Sequence, residues 1–197
     1  MKAIGGILAA AIIGAIVMIF MGHMNNVPTL DESTKASWAQ VQNQYQRRAD
    51  LIPNLVATVK GYAAHEKEVL VGVTEARAKV GQMTITPEVL SNPKAFAAFE
   101  KAQGELSSAL SRLMMVSERY PELKADKNFM ALQVQLEGTE NRISVARRDY
   151  IDTVKHYNLE LRTVPGRWVA AILYPDAVVK ETFTAEPQSQ KAPAIAF

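Results

Sequence analysis

Cysteine is absent from the 197 residues. Its absence removes disulfides, zinc knuckles, iron–sulfur clusters, a thiol nucleophile and a lipid-modified N-terminal cysteine together. Charge of one sign is missing too, since 22 Lys and Arg stand against 20 Asp and Glu. No broad field attracts a polyanion, and the balance argues against nucleic acid as a partner. The chain has no G-x-G-x-x-G, no G-x-x-x-x-G-K-[ST] and no G-x-S-x-G, so it lacks the phosphate cradles of dinucleotide and P-loop proteins and the nucleophile elbow of serine hydrolases. Of the three histidines, His23, His65 and His156, the one in HEKEV has no second histidine a helical turn away to share a zinc ion. No catalytic residue, metal site or cofactor is expected. His65 and His156 would form a pH-sensitive pair if their helices were neighbours; the plainer reading is two unconnected surface side chains.

One long apolar run is present. Ala3 to Gly22 (AIGGILAAAIIGAIVMIFMG) contains no charge, and at about 1.5 Å per residue a helix of that length crosses a hydrocarbon core of about 30 Å. A cleaved signal peptide is the competing reading, but its apolar region is usually about 7–15 residues and the MGHMNN that follows offers no small-residue cleavage site. An uncleaved transmembrane anchor over residues 1–24 is therefore expected. Gly6, Ala10 and Gly14 recur every fourth residue, a spacing that lets two membrane helices approach closely, although small residues are common in such helices anyway. The short basic flank at Lys2 favours an N-terminus inside, with the rest of the chain outside the cytoplasm.

Beyond the anchor, proline placement divides a chain otherwise rich in good helix formers. Trp38, Val41, Tyr45, Ile52, Leu55, Val59, Tyr62, Val69, Val73, Ala76 and Val80 follow steps of three and four, with Arg48 and Glu66 on the same stripe. This spacing predicts one helix from about Leu30 to Gly81, kinked at Pro53, or two helices joined at DLIPN. A second helix starts near Pro93 with Asn92 or Ser91 as its N-cap and presents Phe96, Phe99, Leu106, Leu110, Leu113, Val116 and Tyr120. The third begins near Asp126, carries Phe129, Leu132, Leu136, Ile143, Ala146, Tyr150, Val154, Tyr157 and Leu161, and stops at Pro165-Gly166. Helices this long cannot bury their stripes alone, and short connections favour antiparallel packing. The predicted fold class is all-α: a transmembrane helix followed by an antiparallel bundle of three to four long helices over residues 25–175. The apolar stretch Arg167 to Tyr174 can serve as a closing helix, an interfacial element on lipid or a short connector. Residues 176–197, rich in proline and polar side chains, read as a loose tail.

The unusual feature is charge within the helices. Arg48 and Glu66 fall on the first stripe, and LEGTENRISVARRDY brings Glu137, Glu140, Arg142 and Arg147 close together on the third helix. A buried charge without a partner is expensive, so an interhelical polar network that fixes register is expected. The functional alternative is a polar docking surface for a partner helix or an oligomer neighbour.

At these same stretches the chain resembles the bacterial LemA family. The resemblance is carried by Trp38-Ala39-Gln40-Val41, by Arg47 to Val56 (RRADLIPNLV), by Val59-Lys60-Gly61-Tyr62, and by His65-Glu66. It continues in Thr74 to Ala78 (TEARA) and Leu136 to Ile143 (LEGTENRI), behind a single N-terminal anchor. It implies a membrane-anchored antiparallel helical bundle, and no catalytic residues to carry over. Some relatives are associated with magnetosome membrane formation, which implies a role in membrane organisation. The chain departs from the family at Tyr150-Ile151-Asp152, where Tyr-Asn-Asp is common, and in the variable Arg167 to Tyr174 stretch. The expectation is a non-enzymatic scaffold of the bacterial envelope, with the lipid bilayer and a second copy of itself as partners. The rival is a sensing module with a small-molecule pocket between helices.

Overall fold

In the computed structural model, described over residues 2–83 and 86–184, the uncharged run and the three amphipathic segments all become helix, and no strand occurs among those residues. Helix α1 spans Lys2–His23 and α2 spans Asn26–Tyr62. Asn25 between them keeps right-handed helical dihedrals, so α2 continues from α1 after a brief turn. Ile7, Leu8, Ile12, Ile13, Val17, Met18 and Met21 are all exposed on α1, which is long and apolar enough to cross a membrane. Ala10 and Gly14, two of the three small residues in the expected packing row, are also exposed, and nothing lies within 4 Å of where a Gly14 Cβ would stand.

The chain then turns back through α3 (Lys67–Gly81), a 3₁₀ turn at Pro87–Ser91, α4 (Pro93–Arg119), a single turn α5 (Pro121–Lys124), α6 (Lys127–Arg162) and α7 (Gly166–Leu173). Local chemistry sets two of these starts. The Asn92 side chain accepts hydrogen bonds from the Lys94 and Ala95 amides with Pro93 at the first helical position, and the Asp126 side chain accepts from the Phe129 amide.

The 37-residue α2 and the 36-residue α6 form an antiparallel pair. Their register is marked along the whole length by Asn26 to Glu160 (3.1 Å), Gln44 to Arg142 (3.3 Å), Arg48 to Glu140 (2.9 Å) and Tyr62 to Asp126 (2.9 Å). Helices α3 and α4 pack beside the distal half of that pair. There Ile52, Leu55, Val59, Leu70, Val73, Leu106, Leu113 and Leu136 form the larger apolar core.

Two expectations need correction. The first helix breaks at Ala63–Glu66, not at Pro53, and the chain reverses there, so Leu30 to Gly81 is neither one kinked rod nor a pair joined at DLIPN. Pro53 lies inside α2. The carbonyl it leaves unpaired four residues back, on Ala49, accepts from Nε of Arg77 on α3 at 3.0 Å, which restores the bond the proline cannot make.

The second correction concerns the tail. Ala177 to Thr184 lies along the proximal half of the bundle, in the space the 15-residue α3 is too short to reach. Phe183 is buried among Trp38, Phe96 and Tyr150, and the Glu181 amide donates to the Leu90 carbonyl at 2.7 Å. Asn158 brackets the Lys180 backbone with two 2.9 Å bonds, while the buried Lys180 ammonium meets Asp31 at 2.5 Å. Composition favours disorder, but two buried side chains and four hydrogen-bonded contacts outweigh it. The remainder of the expected tail, 185–197, lies outside the described residues.

Two outcomes follow from this packing. Arg77→Met, which keeps the apolar stem, should cost about 1–2 kcal/mol in chemical denaturation because it orphans the Ala49 carbonyl. Burial alone would raise the Asp31 carboxyl, but the Lys180 and Lys35 ammoniums outweigh it and hold the group below its ordinary value. The resulting stabilisation is present above the ordinary aspartate range and is lost as pH falls through the lowered value. Hydrogen exchange should therefore show residues 177–184 losing protection in acid, and Asp31→Asn should remove that pH dependence.

Candidate functional site

Arg48 sits near the middle of α2 on its inward stripe and is only 1% exposed. Its Nη1 donates to Ser107 Oγ on α4 at 2.8 Å and to Glu140 Oε1 on α6 at 2.9 Å. Its Nη2 donates to the side-chain oxygen of Gln103, itself buried on α4, and the guanidinium lies 5.0 Å from the centre of the Tyr45 ring. One residue of α2 thus ties together both helices that flank it. A guanidinium suits this position because its fork reaches several acceptors at once and does not lose its charge on burial.

Above Arg48, a groove of about 680 Å³ opens between α4 and α6. Gly104, Ser107, Ser108 and Ser111 form its α4 wall, Glu140, Ser144 and Arg147 its α6 wall, and Phe183 closes one end. Arg147 lies 3.9 Å from Glu100 across the groove and 4.2 Å from the centre of the Phe183 ring. Burial raises the Tyr45 phenol above its ordinary value against the pull of Arg147 and Arg48. Two buried donors, Arg48 Nε and Gln103 Nε2, meet no acceptor among the described residues. The groove offers a small group bearing acceptor oxygens its serine hydroxyls and the Arg147 guanidinium.

Not every expected residue belongs to this centre. Arg48, Glu140 and Arg147 come together. Glu66 sits in the turn between α2 and α3, where it accepts from Arg119 at 3.0 Å and Tyr120 at 3.2 Å; it ties that turn to the end of α4. Glu137 is exposed and accepts from Gln133 one turn away at 3.0 Å. Arg142, also exposed, donates to Gln44 and to Thr139 at 3.0 Å. Both therefore face away from the groove. His65 lies in the distal turn and His156 near the proximal end of α6, so they do not meet: some 30 residues of α6 separate His156 from Asp126, the residue opposite Tyr62, or about 45 Å.

The sequence reading missed Gln103 and Ser107. The signal was there in AQGELSSALS, where Gly104, Ser107, Ser108 and Ser111 interrupt a helix of strong formers along one stripe.

Long paired helices carried on an apolar helix that can cross a bilayer make this a membrane-associated helical protein. The chain belongs to the LemA family, whose model matches residues 37–197. It is 26% identical to magnetosome protein MamQ 2 of Paramagnetospirillum magneticum, covering 80% of this chain and 64% of that one. It is 25% identical to magnetosome protein MamQ of Magnetospirillum gryphiswaldense over the same shares. With protein LemA of Metamycoplasma hominis it shares 20% identity over 77% of this chain and 65% of that one. The chain thus spans about two thirds of the length of these curated relatives.

The two halves of the buried pair should respond differently to mutation. Glu140→Ala leaves a buried guanidinium short of its counter-charge and should cost about 3 kcal/mol. Arg48→Met removes the buried charge, leaves the partly exposed Glu140 free to hydrate, and should cost about 1 kcal/mol. Equilibrium denaturation of both variants tests this order, and equal losses would count against it.

Proposed function

We propose that the chain is a membrane-anchored, non-enzymatic scaffold of the bacterial envelope that self-associates and takes part in membrane organisation. The observation that carries the reading is the exposed outer face of α6. Met130 and Val134 stand one turn apart on it at 44% and 68% exposure, with Val145 three turns further on at 46%. That face belongs to a rod about 55 Å long, held in register along its full length by α2, the helix that continues from α1. The anchor confines such rods to one surface, where raised effective concentration lets weak helix-face contacts assemble them. The resemblance to magnetosome proteins supports membrane organisation as the setting. The basic flank at Lys2 supports a bundle outside the cytoplasm, and cleavage of the bundle by protease in intact spheroplasts is the outcome that orientation requires.

Crosslinking in native membranes tests assembly. The expected outcome is a ladder above the monomer that shrinks in Val134→Glu while the melting temperature is unchanged. Monomer alone, with no captured partner, would overturn the reading.

A second reading, a binding module for a small ligand with acceptor oxygens, is supported by the serine hydroxyls and the Arg147 guanidinium that line the groove. A ligand at about 100 times its Kd would stabilise the fold by about 2.7 kcal/mol. A thermal-shift screen of the full chain in detergent, using small carboxylates, phosphates and sugars, separates the two readings.

A further inference from the structure

Helix α7 is apolar on both sides. Its inner residues, Val169 and Ala170, are buried at 0% and 7% exposure, and Ala170 joins a small core with Val27 and Tyr157. Its outer residues Trp168 and Ile172, one turn apart, are 61% and 68% exposed. A short helix at the surface of a water-soluble protein turns a polar face outward; this one turns out a tryptophan and an isoleucine.

The location of α7 says what covers that face. The Tyr174 hydroxyl at its C-terminal end donates to the Met24 carbonyl at 2.8 Å, in the turn where α1 hands over to α2. At the same level Glu160 accepts from Asn26 at 3.1 Å and lies 2.9 Å from His23. If the apolar run ending at Gly22 fills the hydrocarbon layer, Met24 lies about 3 Å beyond it, within the headgroup layer. An α7 packed against that turn, with a helix radius of about 5 Å, then reaches the boundary between headgroups and acyl chains. Arg162 and Arg167 are exposed on either side of the Thr163–Pro165 turn that leads into α7, placed to meet lipid phosphates while Trp168 occupies the interface.

The close packing of Gly166 holds this arrangement. A Cβ there would fall 2.6 Å from the Glu160 carboxyl carbon and closer still to the Glu160 carbonyl oxygen. The start of α7 is therefore pressed onto the residue that also contacts the α1–α2 turn.

We propose that α7 is an interfacial foot: its outer face, led by Trp168 and Ile172, is buried in the lipid surface that α1 enters. The foot gives the bundle a second point of attachment beside α1 and so sets the rod's tilt and rotation on the membrane.

The proposal rests on the anchor, and the test separates the two. The full chain is reconstituted in phosphatidylcholine vesicles carrying acyl chains brominated near the headgroup. The only other tryptophan, Trp38, is 3% exposed in the core and about 20 Å further from the membrane along α2. Brominated lipid should dim the Trp168 component by about half, and Trp168→Phe should remove that quenching without altering the melt. Ile172→Asp should restore access of aqueous acrylamide to Trp168. A chain that does not float with vesicles would overturn anchor and foot together. A chain that floats while Trp168 stays open to acrylamide and blind to bromine would overturn the foot alone. So would a Trp168 shielded from both quenchers, the result of a second copy covering α7.

Discussion

The pairing of α2 with α6 is the constraint on which the rest of the structure depends. A 37-residue helix with an apolar stripe along one side cannot bury that stripe on itself, and only another helix of equal length can cover it from end to end. Helix α6, at 36 residues, does so in antiparallel register. Every other element occupies what that pair leaves open. The α3–α4 hairpin fills the distal flank, the start of α4 and the Ala177–Thr184 segment fill the proximal one, and α7 closes the end beside α1.

Apolar stripes specify that two helices pack but only weakly specify the register, because sliding by one turn replaces one aliphatic residue with another. The buried Arg48 makes sliding costly: a displacement of one turn would separate its guanidinium from Glu140, Ser107 and Gln103 at once. A hydroxyl-lined groove between α4 and α6 opens beside the same residue, so the charge that opposes sliding also lines a polar cavity. Structural and functional readings of these charges need not exclude each other.

The two ends of the rod differ in chemistry. The distal end is closed by exposed ion pairs and hydrogen bonds, among them Glu66 with Arg119 and Tyr62 with Asp126. The proximal end carries the apolar α1, an exposed tryptophan and isoleucine, and the Lys180–Asp31 pair that pins the C-terminal segment. A bundle asymmetric in this way has one end suited to lipid and one suited to water, with the long face of α6 exposed between them.

The apolar N-terminal helix, the all-helical class and the limits of α4 and α6 were legible in the sequence because their causes are local. An apolar run has a length, and Asn92 and Asp126 cap helices through their own neighbouring amides. The inward charge at Arg48 was legible from helical spacing, and Glu140 stood among the charges expected to pair across helices, but which charge met which was not. What the sequence could not settle was decided by contacts between distant residues. The first helix reverses at Ala63–Glu66, where no glycine or proline stands, because folding back buries Leu70 and Val73 that a straight rod would leave in water. Pro53 fails to break α2 because Arg77, 24 positions later in the sequence, supplies the missing donor. The segment that composition marks as a loose tail is docked because Phe183 and Lys180 find an aromatic pocket and a carboxylate contributed by other helices. Local sequence determined which stretches become helix, since hydrogen bonding and capping act within a few residues. Tertiary structure decided where the chain turns and which charges meet, since burial is shared among residues far apart in the chain.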